Sequence, residues 1–370
     1  MRVLFIARYR DPSMDRKPQL LAAAGLTIHQ VRPAHWEDPL LRVTQTASAG
    51  PGLTQSAVPL LGRPDDPHRA LYRTLDFGAR RFRPDLIHAE EEPDSLAALQ
   101  VALARRLFAP RAALLLYTWQ NVDRNRRPEV EWVLARSLRA ADGVLCANRE
   151  AEAILRRRGY RGFTCVLPAI GVDGAAFQPG PARPAQDGLI VGYAGRLAPE
   201  KGLDVLLAAA ARCGAEVQVR LMGAGPGRPA LEAQALALGL ADRVQFRPPA
   251  PPAQVADFLR ELDVLVLPSR TTPVWKEQFG RVLAEAMACG VPVVGSESGA
   301  IPDVIGEAGL TFPEGDAEAL AERLLALRRA PGLRRELAER GRARAAEHFS
   351  VEQIVAATLD VYRQVRPRVP

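Results

Sequence analysis

Short apolar runs that alternate with segments of helical periodicity constrain the fold of this chain more than any other feature. The run at 113–117, Ala-Leu-Leu-Leu-Tyr, is typical of a strand buried on both faces of a parallel sheet. Two series of such runs follow one another, which indicates repeated βα units. Strands are predicted at 2–7, 26–31, 85–89, 112–117, 143–147 and 164–167, then at 189–194, 216–222, 243–246, 263–267, 292–295 and 310–312.

A stretch dense in proline and glycine, residues 177–188, separates the two series. Such a stretch cannot continue a helix or a central strand, so we place a domain boundary between residues 180 and 181. A chain of 370 residues is long enough for two domains. The predicted fold is α/β, with two Rossmann-like doubly wound domains, 1–180 and 181–349, that face each other across a cleft. A helical segment at 350–370 ends the chain.

Charge is distributed unevenly between the two halves. Residues 1–180 carry 26 Lys+Arg against 19 Asp+Glu, a net +7, whereas residues 181–370 carry 23 against 23. This excess is compatible with an anionic acceptor or with peripheral contact at an anionic membrane, although an ordinary solvated surface has the same composition. No aromatic-basic interleaving points to nucleic acid, which we do not expect as a partner.

The chain has the apolar fraction of a globular protein, without a run long enough to span a membrane and without a signal-peptide pattern. We therefore expect a cytoplasmic protein. Its four cysteines lack C-x-x-C spacing, and there is neither an Asp-x-Asp motif nor a metal-ligand spacing of His, Cys and Glu. No metal and no cofactor is predicted.

The segment from Glu277 to Glu285 has two carboxylates on either side of a Phe-Gly step where a helix is predicted to begin. Backbone N–H groups at a helix start favour an anion such as a diphosphate, and Gly280 leaves room for its close approach. Glu285, about one and a half turns into the helix, could accept hydrogen bonds from the hydroxyls of a ribose. An amphipathic helix with two solvated glutamates is the alternative.

A second segment, Gly195 to Gly202, follows an apolar strand and opens another helix. Arg196 and Lys201 flank its turn and could both face an anion, neutralising a leaving diphosphate. A surface turn with two ordinary cations is the alternative. A glycine-rich turn at 223–227 lacks the third glycine of a dinucleotide fingerprint, because Arg228 stands there, so a redox cofactor is not expected.

In the first half, a predicted strand ends in His88, Glu90 and Glu91, and the next strand is followed by Trp119. Such residues at the ends of neighbouring strands could bind or orient sugar hydroxyls. Glutamates at this position could equally complement a helix dipole, and His88 could be a core residue.

Taken together, these motifs resemble those of family-4 (group 1) retaining glycosyltransferases of the GT-B fold, over nearly the whole chain. The resemblance rests on Gly195-Arg196, on residues 200–202 and 223–226, on residues 277–280 with Glu285, and on residues 288–294 and 299–303. It implies that Arg196 and Lys201 bind the donor diphosphate, that Glu277 contacts donor sugar hydroxyls and that Glu285 holds the ribose. It also implies that the last helix crosses back to the first domain. The implied donor-binding set is Gly195, Gln278, Phe279, Gly280, Val282 and Glu285, with Arg196, Lys201 and Glu277 as catalytic residues.

Two departures from the family pattern concern the first domain. The loop at 7–13 has no glycine, although Arg8 or Arg10 could meet an anionic group, and Glu90 stands where relatives often have a second histidine. The role that relatives assign to that histidine cannot be carried over.

The sequence thus predicts a retaining, metal-independent hexosyltransferase that uses a nucleoside diphosphate sugar. The acceptor would be a glycan, a lipid-linked molecule or a small molecule, in polysaccharide or cell-surface glycan synthesis. The alternatives are a GT-B-shaped sugar-nucleotide epimerase, a phosphorylase, which the lack of an obvious cofactor lysine disfavours, and a non-catalytic nucleotide-sugar-binding subunit.

Overall fold

The computed structural model describes residues 1–8, 12–37, 42–44, 49–62, 69–181 and 188–365. Residues 9–11 of the glycine-free loop and residues 182–187 of the predicted boundary stretch lie outside this part. The chain forms two compact units. One comprises Met1–Gly171 with Val351–Pro370, and the other comprises Val172–Ser350.

The first unit alternates strands and helices as its apolar runs predict. Ser95 and Asn148 cap the starts of two helices, because their side chains accept hydrogen bonds from the backbone N–H groups of Ala98 (3.0 Å) and Ala151 (2.8 Å). In chain order the elements are β1 (Arg2–Ala7), α1 (Arg16–Ala23), β2 (Thr27–Pro33), β3 (His35–Glu37), β4 (Arg42–Thr44), β5 (Ala49–Gly50), β6 (Leu53–Val58), β7 (Leu60–Leu61), β8 (Leu71–Tyr72), α2 (Ala79–Phe82), β9 (Leu86–Glu90), α3 (Leu96–Phe108), β10 (Ala113–Thr118), α4 (Pro128–Ala140), β11 (Gly143–Cys146), α5 (Arg149–Arg157) and β12 (Phe163–Val166).

The main sheet of this unit has, among the described residues, the strand order β12-β11-β10-β9-β1-β2-β6-β5. All neighbours are parallel except β5 and β6. Alternate residues of β1 enter different apolar clusters: Leu4 and Ile6 pack on the face covered by α3, whereas Val3 and Phe5 pack on the other face. Both faces are therefore buried, as the continuous apolar runs require.

The second unit repeats the pattern. Its elements are β13 (Leu189–Ala194), α6 (Leu203–Arg212), β14 (Val217–Met222), α7 (Arg228–Ala237), β15 (Val244–Arg247), α8 (Pro252–Arg260), β16 (Val264–Leu267), α9 (Arg281–Ala288), β17 (Val293–Ser296), α10 (Ile301–Ile305), β18 (Gly309–Phe312), α11 (Ala317–Arg329) and α12 (Pro331–Arg344). A π-helical turn, Ala345–Phe349, follows α12. The last helix, α13 (Val351–Gln364), belongs to the first unit.

Among the described residues, the sheet of the second unit has the order β15-β14-β13-β16-β17-β18, with every pair parallel. The order reverses between β13 and β16, because the chain proceeds from β13 to one side and from β16 to the other. Open α/β sheets bind ligands at such a reversal of strand order, beyond the carboxyl ends of the strands. In the first unit the reversal lies between β1 and β9.

The unit boundary differs from the predicted one between residues 180 and 181. Val172 and Phe177 are buried in the core of the second unit, and the Val172 N–H donates to the Phe349 carbonyl at 2.7 Å. Proline and glycine thus indicate where regular structure stops, but packing assigns the irregular stretch to the second unit. The predicted second boundary, at 349–350, lies one residue before the observed break at Ser350.

Helix α13 supplies one wall of the first unit. Val355, Val361 and Tyr362 are buried with Val3 and Phe5 in the cluster on the face of the sheet away from α3. This packing places α13 with the first unit although 179 residues of the second unit, Val172–Ser350, precede it in the sequence.

Some elements escaped the sequence prediction. The sequence is less regular at 34–68 and no strand is predicted there, yet β6 pairs with β2 in the main sheet. Among the described residues no helix is both long and apolar enough to cross a membrane.

Gly202, which precedes α6, closely approaches the backbone of Pro268, which follows β16. Its φ is +65°, and a Cβ there would lie 2.0 Å from the Pro268 carbonyl oxygen. We expect Gly202→Ala to lower the free energy of unfolding by several kcal/mol, since left-handed strain of about 1 to 2 kcal/mol adds to a backbone clash. Urea denaturation measures the change.

Gly239 provides the matched control, because its φ is +67° and no atom lies within 4 Å of a Cβ built there. Gly239→Ala should show the strain without the clash. Equal losses for the two variants would contradict the close approach of Gly202 to Pro268.

Candidate active site

Two loops of the second unit meet where its strand order reverses. One runs from Gly195, after β13, to Gly202, and the other runs from Pro268, after β16, to Gly280. The Arg270 N–H donates to the Glu200 carbonyl at 2.8 Å, which ties the loops together. The segments singled out in the sequence, 195–202 and 277–285, are therefore neighbours in the fold.

Lys201 and Glu277 form an ion pair at this junction, with Lys201 Nζ 2.6 Å from Glu277 Oε2. Ser269 Oγ donates to the same carboxylate oxygen at 2.8 Å. The Lys201 ammonium also lies 4.5 Å from the centroid of the Trp275 ring, a cation–π contact. Glu277 is buried and Lys201 half-buried, so water screens this pair less than it would a surface pair.

The backbone around Glu277 is fixed by its neighbours. Its carbonyl accepts a hydrogen bond from the N–H of Ala300 at 3.0 Å, so the motif at 299–303 supports the loop that carries Glu277. Gly280 then starts α9 with φ +75°, and a Cβ there would meet Leu267 Cδ2 at 2.8 Å. A glycine suits this position because it takes the left-handed turn without a clash.

Arg196 and Glu285 occupy different environments in this site. Arg196 is exposed and forms an ion pair with Glu200, while its carbonyl accepts from the Tyr193 hydroxyl at 2.9 Å. Glu285 is buried, with Oε1 2.7 Å from Arg281 Nε. Burial raises the pKa of Glu285, and the Arg281 charge opposes that shift. The Glu285 carboxylate, which can accept hydrogen bonds from hydroxyl groups, is thus held in place in the first turns of α9.

The remaining predicted donor residues adjoin these two loops. Gly195 is exposed at the end of β13. Phe279 packs its ring against Phe349, with centroids 5.5 Å apart, which leaves its backbone for contact. Gln278 and Val282 are half-buried on either side of Gly280. All nine predicted catalytic and donor residues therefore belong to the two loops and the start of α9.

The predicted acceptor residues lie in the first unit, and most are buried there. His88 is fully buried, and its Nδ1 is 2.7 Å from the hydroxyl of Tyr362 on α13. Glu90 is buried against Lys17, whose Nζ lies 2.8 Å from Glu90 Oε1. Trp119 is half-buried, and its ring centroid lies 4.3 Å from that of Tyr117.

Glu91 also has partners inside the first unit. Its Oε1 accepts from Arg8 Nε at 2.8 Å and from the Tyr72 hydroxyl at 2.9 Å. The anionic group that Arg8 meets is thus a carboxylate of the protein itself. Burial raises the pKa of Glu91, and the Arg8 charge opposes this. These contacts connect the residue after β9 to Arg8, which follows β1, and to Tyr72 of β8.

Three residues at these edges were not assigned a role from the sequence. Ser269 and Trp275 lie in the loop before Glu277. Lys17 is one of three lysines in the chain, and this scarcity was the available signal for it. No group of three His, Cys, Asp or Glu side chains suited to a metal occurs in the described part of the chain.

Comparison with known proteins identifies the family. The sequence model of the family described as "Glycosyl transferases group 1" matches residues 177–344. A D-inositol 3-phosphate glycosyltransferase of Arthrobacter sp. is 32% identical over 311 residues, which cover 76% of this chain and 70% of that protein. The chain belongs to the group 1 glycosyl transferases.

Another relative of this chain is the D-inositol 3-phosphate glycosyltransferase of Streptomyces bingchenggensis. It is 34% identical over 248 residues, covering 61% of this chain and 53% of the relative. The chain therefore spans about half the length of that curated relative.

Solved structures show that the chain has the GT-B fold. Sucrose-phosphate synthase from Thermosynechococcus elongatus matches with a TM-score of 0.76 and 24% identity, covering 99% of each chain. Anabaena HepE in complex with UDP-glucose matches with a TM-score of 0.71 and 20% identity, covering 98% of this chain and all of that one. The predicted fold class and family are both confirmed.

The buried His88 should make the stability of the protein depend on pH. Burial, with the nearby Lys17 charge, lowers the pKa of His88 well below its ordinary value of 6.5. The unfolded chain therefore binds more protons than the folded one below about pH 6.5, and stability falls as the pH drops through that value, by up to about 1.4 kcal/mol per pH unit.

Urea denaturation between about pH 7.5 and 5.5 measures this dependence. The His88→Gln variant removes the titrating group, so the difference between the two profiles isolates it from the carboxylates. Parallel profiles for the wild-type protein and the variant would contradict a neutral, buried imidazole.

Proposed function

We propose that this protein transfers a hexose-type sugar from a nucleoside diphosphate sugar to an acceptor hydroxyl, with retention at the anomeric carbon. The observation that carries the proposal is the Lys201–Glu277 pair at the reversal point of the second sheet. It puts a cation suited to a diphosphate beside a carboxylate suited to sugar hydroxyls, where open α/β sheets bind ligands.

The proposed reaction is a front-face displacement. The bond between the anomeric carbon and the phosphate oxygen breaks, and the acceptor oxygen bonds to that carbon on the same face. The acceptor proton passes to the departing phosphate oxygen. Lys201 and Arg196 stabilise the charge that develops on the diphosphate, and this electrostatic role requires no metal.

The other donor contacts follow the order of the two loops. Glu277 accepts from sugar hydroxyls, and the backbone at Gly195 and at Phe279 to Gly280 lies along sugar and phosphates. Glu285 accepts from the ribose hydroxyls, with Gln278 and Val282 beside it. The burial of Glu285 and its contact with Arg281 support this role, because they hold the carboxylate in one place.

In the first unit, Trp119 offers an aromatic face to the acceptor. The role of His88, Glu90 and Glu91 is indirect: they support the acceptor side from the interior of the first unit, because they are buried and bonded to residues of that unit. A cytoplasmic role in making a polysaccharide or another cell-surface glycan fits this reading. The named activity of the relatives makes a phosphorylated cyclitol a second acceptor to assay.

The exposed side chains of helices α3 and α4 favour the proposal that the protein contacts an anionic membrane peripherally. The two helices pack on each other and expose three large apolar side chains, Leu103 (55%), Leu107 (60%) and Trp132 (54%). The Arg136 guanidinium lies 5.4 Å from the Trp132 ring centroid. Apolar side chains bordered by arginine suit the interface of a negatively charged bilayer.

The transfer itself is tested with purified protein in EDTA, incubated with UDP-, GDP- or ADP-sugars and a panel of glycan, lipid-linked and cyclitol phosphate acceptors. We expect a new glycosidic product whose anomeric configuration, read by NMR, matches that of the donor. Conversion of the donor sugar without acceptor would instead indicate an epimerase. Donor binding with neither hydrolysis nor transfer would indicate a non-catalytic subunit.

In the same assay, Lys201→Ala should lower kcat by about 100-fold or more, because a cation beside the leaving group is lost. Lys201→Arg keeps the charge and should retain more activity than Lys201→Ala, though less than the wild-type protein, since the fork-shaped guanidinium does not replace a compact ammonium. Thermal unfolding shows that the variants are folded. Near-normal turnover of Lys201→Ala would refute the assignment.

Membrane contact is tested by co-sedimentation with vesicles. We expect binding to phosphatidylglycerol vesicles, weaker binding at high salt, and little binding to phosphatidylcholine alone. The double variant Trp132→Ser, Arg136→Ser should bind several-fold less. Leu236→Ser, which removes an exposed leucine of the second unit, is the control and should bind as the wild-type protein does.

A further inference from the structure

Lys201 is held from two sides in the candidate active site. Glu277 Oε2 lies 2.6 Å from its ammonium and the Trp275 ring centroid lies 4.5 Å away. The exposed fractions of the Lys201 and Glu277 side chains are 15% and 9%. The two groups that the proposed function assigns to different parts of the donor are thus bonded to each other.

A diphosphate that binds Lys201 must share its ammonium with Glu277. A phosphate oxygen in hydrogen-bond contact with Nζ would lie within about 5 to 6 Å of Oε2, because each anion is one short contact from the same nitrogen. Like charges at that distance repel strongly in a site that water screens poorly. The carboxylate therefore opposes binding of a bare diphosphate.

Glu277 has little freedom to turn away from this repulsion. Ser269 Oγ donates to the same Oε2 at 2.8 Å, and the Ala300 N–H donates to the Glu277 carbonyl at 3.0 Å. Two arginines of the same region are engaged with other carboxylates: Arg270 pairs with Asp204, and Arg281 contacts Glu285. They are not placed to replace Lys201 as the partner of Glu277.

We propose that Glu277 makes the site discriminate between an intact sugar nucleotide and the nucleoside diphosphate left after transfer. The sugar of the donor brings hydroxyl groups that donate to the carboxylate and offset the repulsion. The product lacks them and meets the carboxylate uncompensated. Glu277 therefore favours donor entry and product release, a consequence that rests on the proposed function.

The test compares the binding of UDP and UDP-glucose, with the matching GDP and ADP pairs, by isothermal titration calorimetry. For the pair that the wild-type protein binds, the sugar nucleotide should bind as tightly as the diphosphate or tighter. In Glu277→Gln the diphosphate should bind about tenfold tighter than in wild type, because one like-charge contact is removed. The sugar nucleotide should bind no tighter.

Glu314→Gln is the matched control. Glu314 accepts hydrogen bonds from the backbone N–H and, at 2.6 Å, the hydroxyl of Thr271, in the loop that leads to Glu277. Its loss should leave the ratio of the two affinities unchanged. Ser269→Ala is a second test of the inference, because it removes a hydrogen bond that fixes the Glu277 carboxylate but leaves the carboxylate charge in place. The affinity for the diphosphate should rise, but by less than in Glu277→Gln.

If Glu277→Gln changed both affinities equally, or weakened binding of the diphosphate, the inference would be wrong. The proposed function would still stand in that case, provided that the wild-type protein transfers the sugar. Absence of any sugar-nucleotide binding to the wild-type protein would overturn both. The same comparison can be made during turnover by adding the diphosphate as an inhibitor. The quantity to compare between the wild-type protein and Glu277→Gln is the inhibition constant of the diphosphate divided by the KM of the donor.

Discussion

The reversal of strand order between β13 and β16 is the constraint on which the site depends. These strands are hydrogen-bonded neighbours, but the connections that follow them lead to opposite sides of the sheet. The two loops that follow these strands meet before the chain leaves in opposite directions, and the Arg270 N–H donates to the Glu200 carbonyl between them. Lys201 and Glu277 are 76 positions apart in the sequence and meet because each lies in the loop that follows one of these strands.

The corresponding edge of the first unit has a different character. The reversal there lies between β1 and β9, and its acidic residues are joined to cations of the same unit, Glu90 to Lys17 and Glu91 to Arg8. Removing one member of such a buried pair leaves an uncompensated charge. The glutamate that stands in place of a second histidine is thus part of an internal framework.

The sequence predicts the fold well where burial is continuous. Residues 113–117, apolar throughout, mark β10 to within one position. Strand β6 was missed because it reads Leu-Thr-Gln-Ser-Ala-Val, and its Gln55 is buried through a hydrogen bond of 2.7 Å to Gln30. A polar pair inside a sheet leaves no periodic signal, since neither side chain is apolar.

The candidate site was predictable at the level of segments but not of partners. Helical spacing and glycines locate residues 195–202 and 277–285, and the topology brings them together. That Lys201 bonds to Glu277, with Ser269 and Trp275 around them, depends on side-chain directions in two irregular loops. Such directions follow from tertiary packing and have no counterpart in residue spacing.

Helix α13 has a consequence for the order in which the chain can fold. The second unit is continuous, so its whole core has left the ribosome once Ser350 emerges. The first unit begins with the first strand, but part of one face of its sheet, next to α1, stays open to water until Val355 and Tyr362 of α13 arrive. Domains usually complete folding in the order of their synthesis. Here the unit made first is completed last, with the second unit already folded between its two parts.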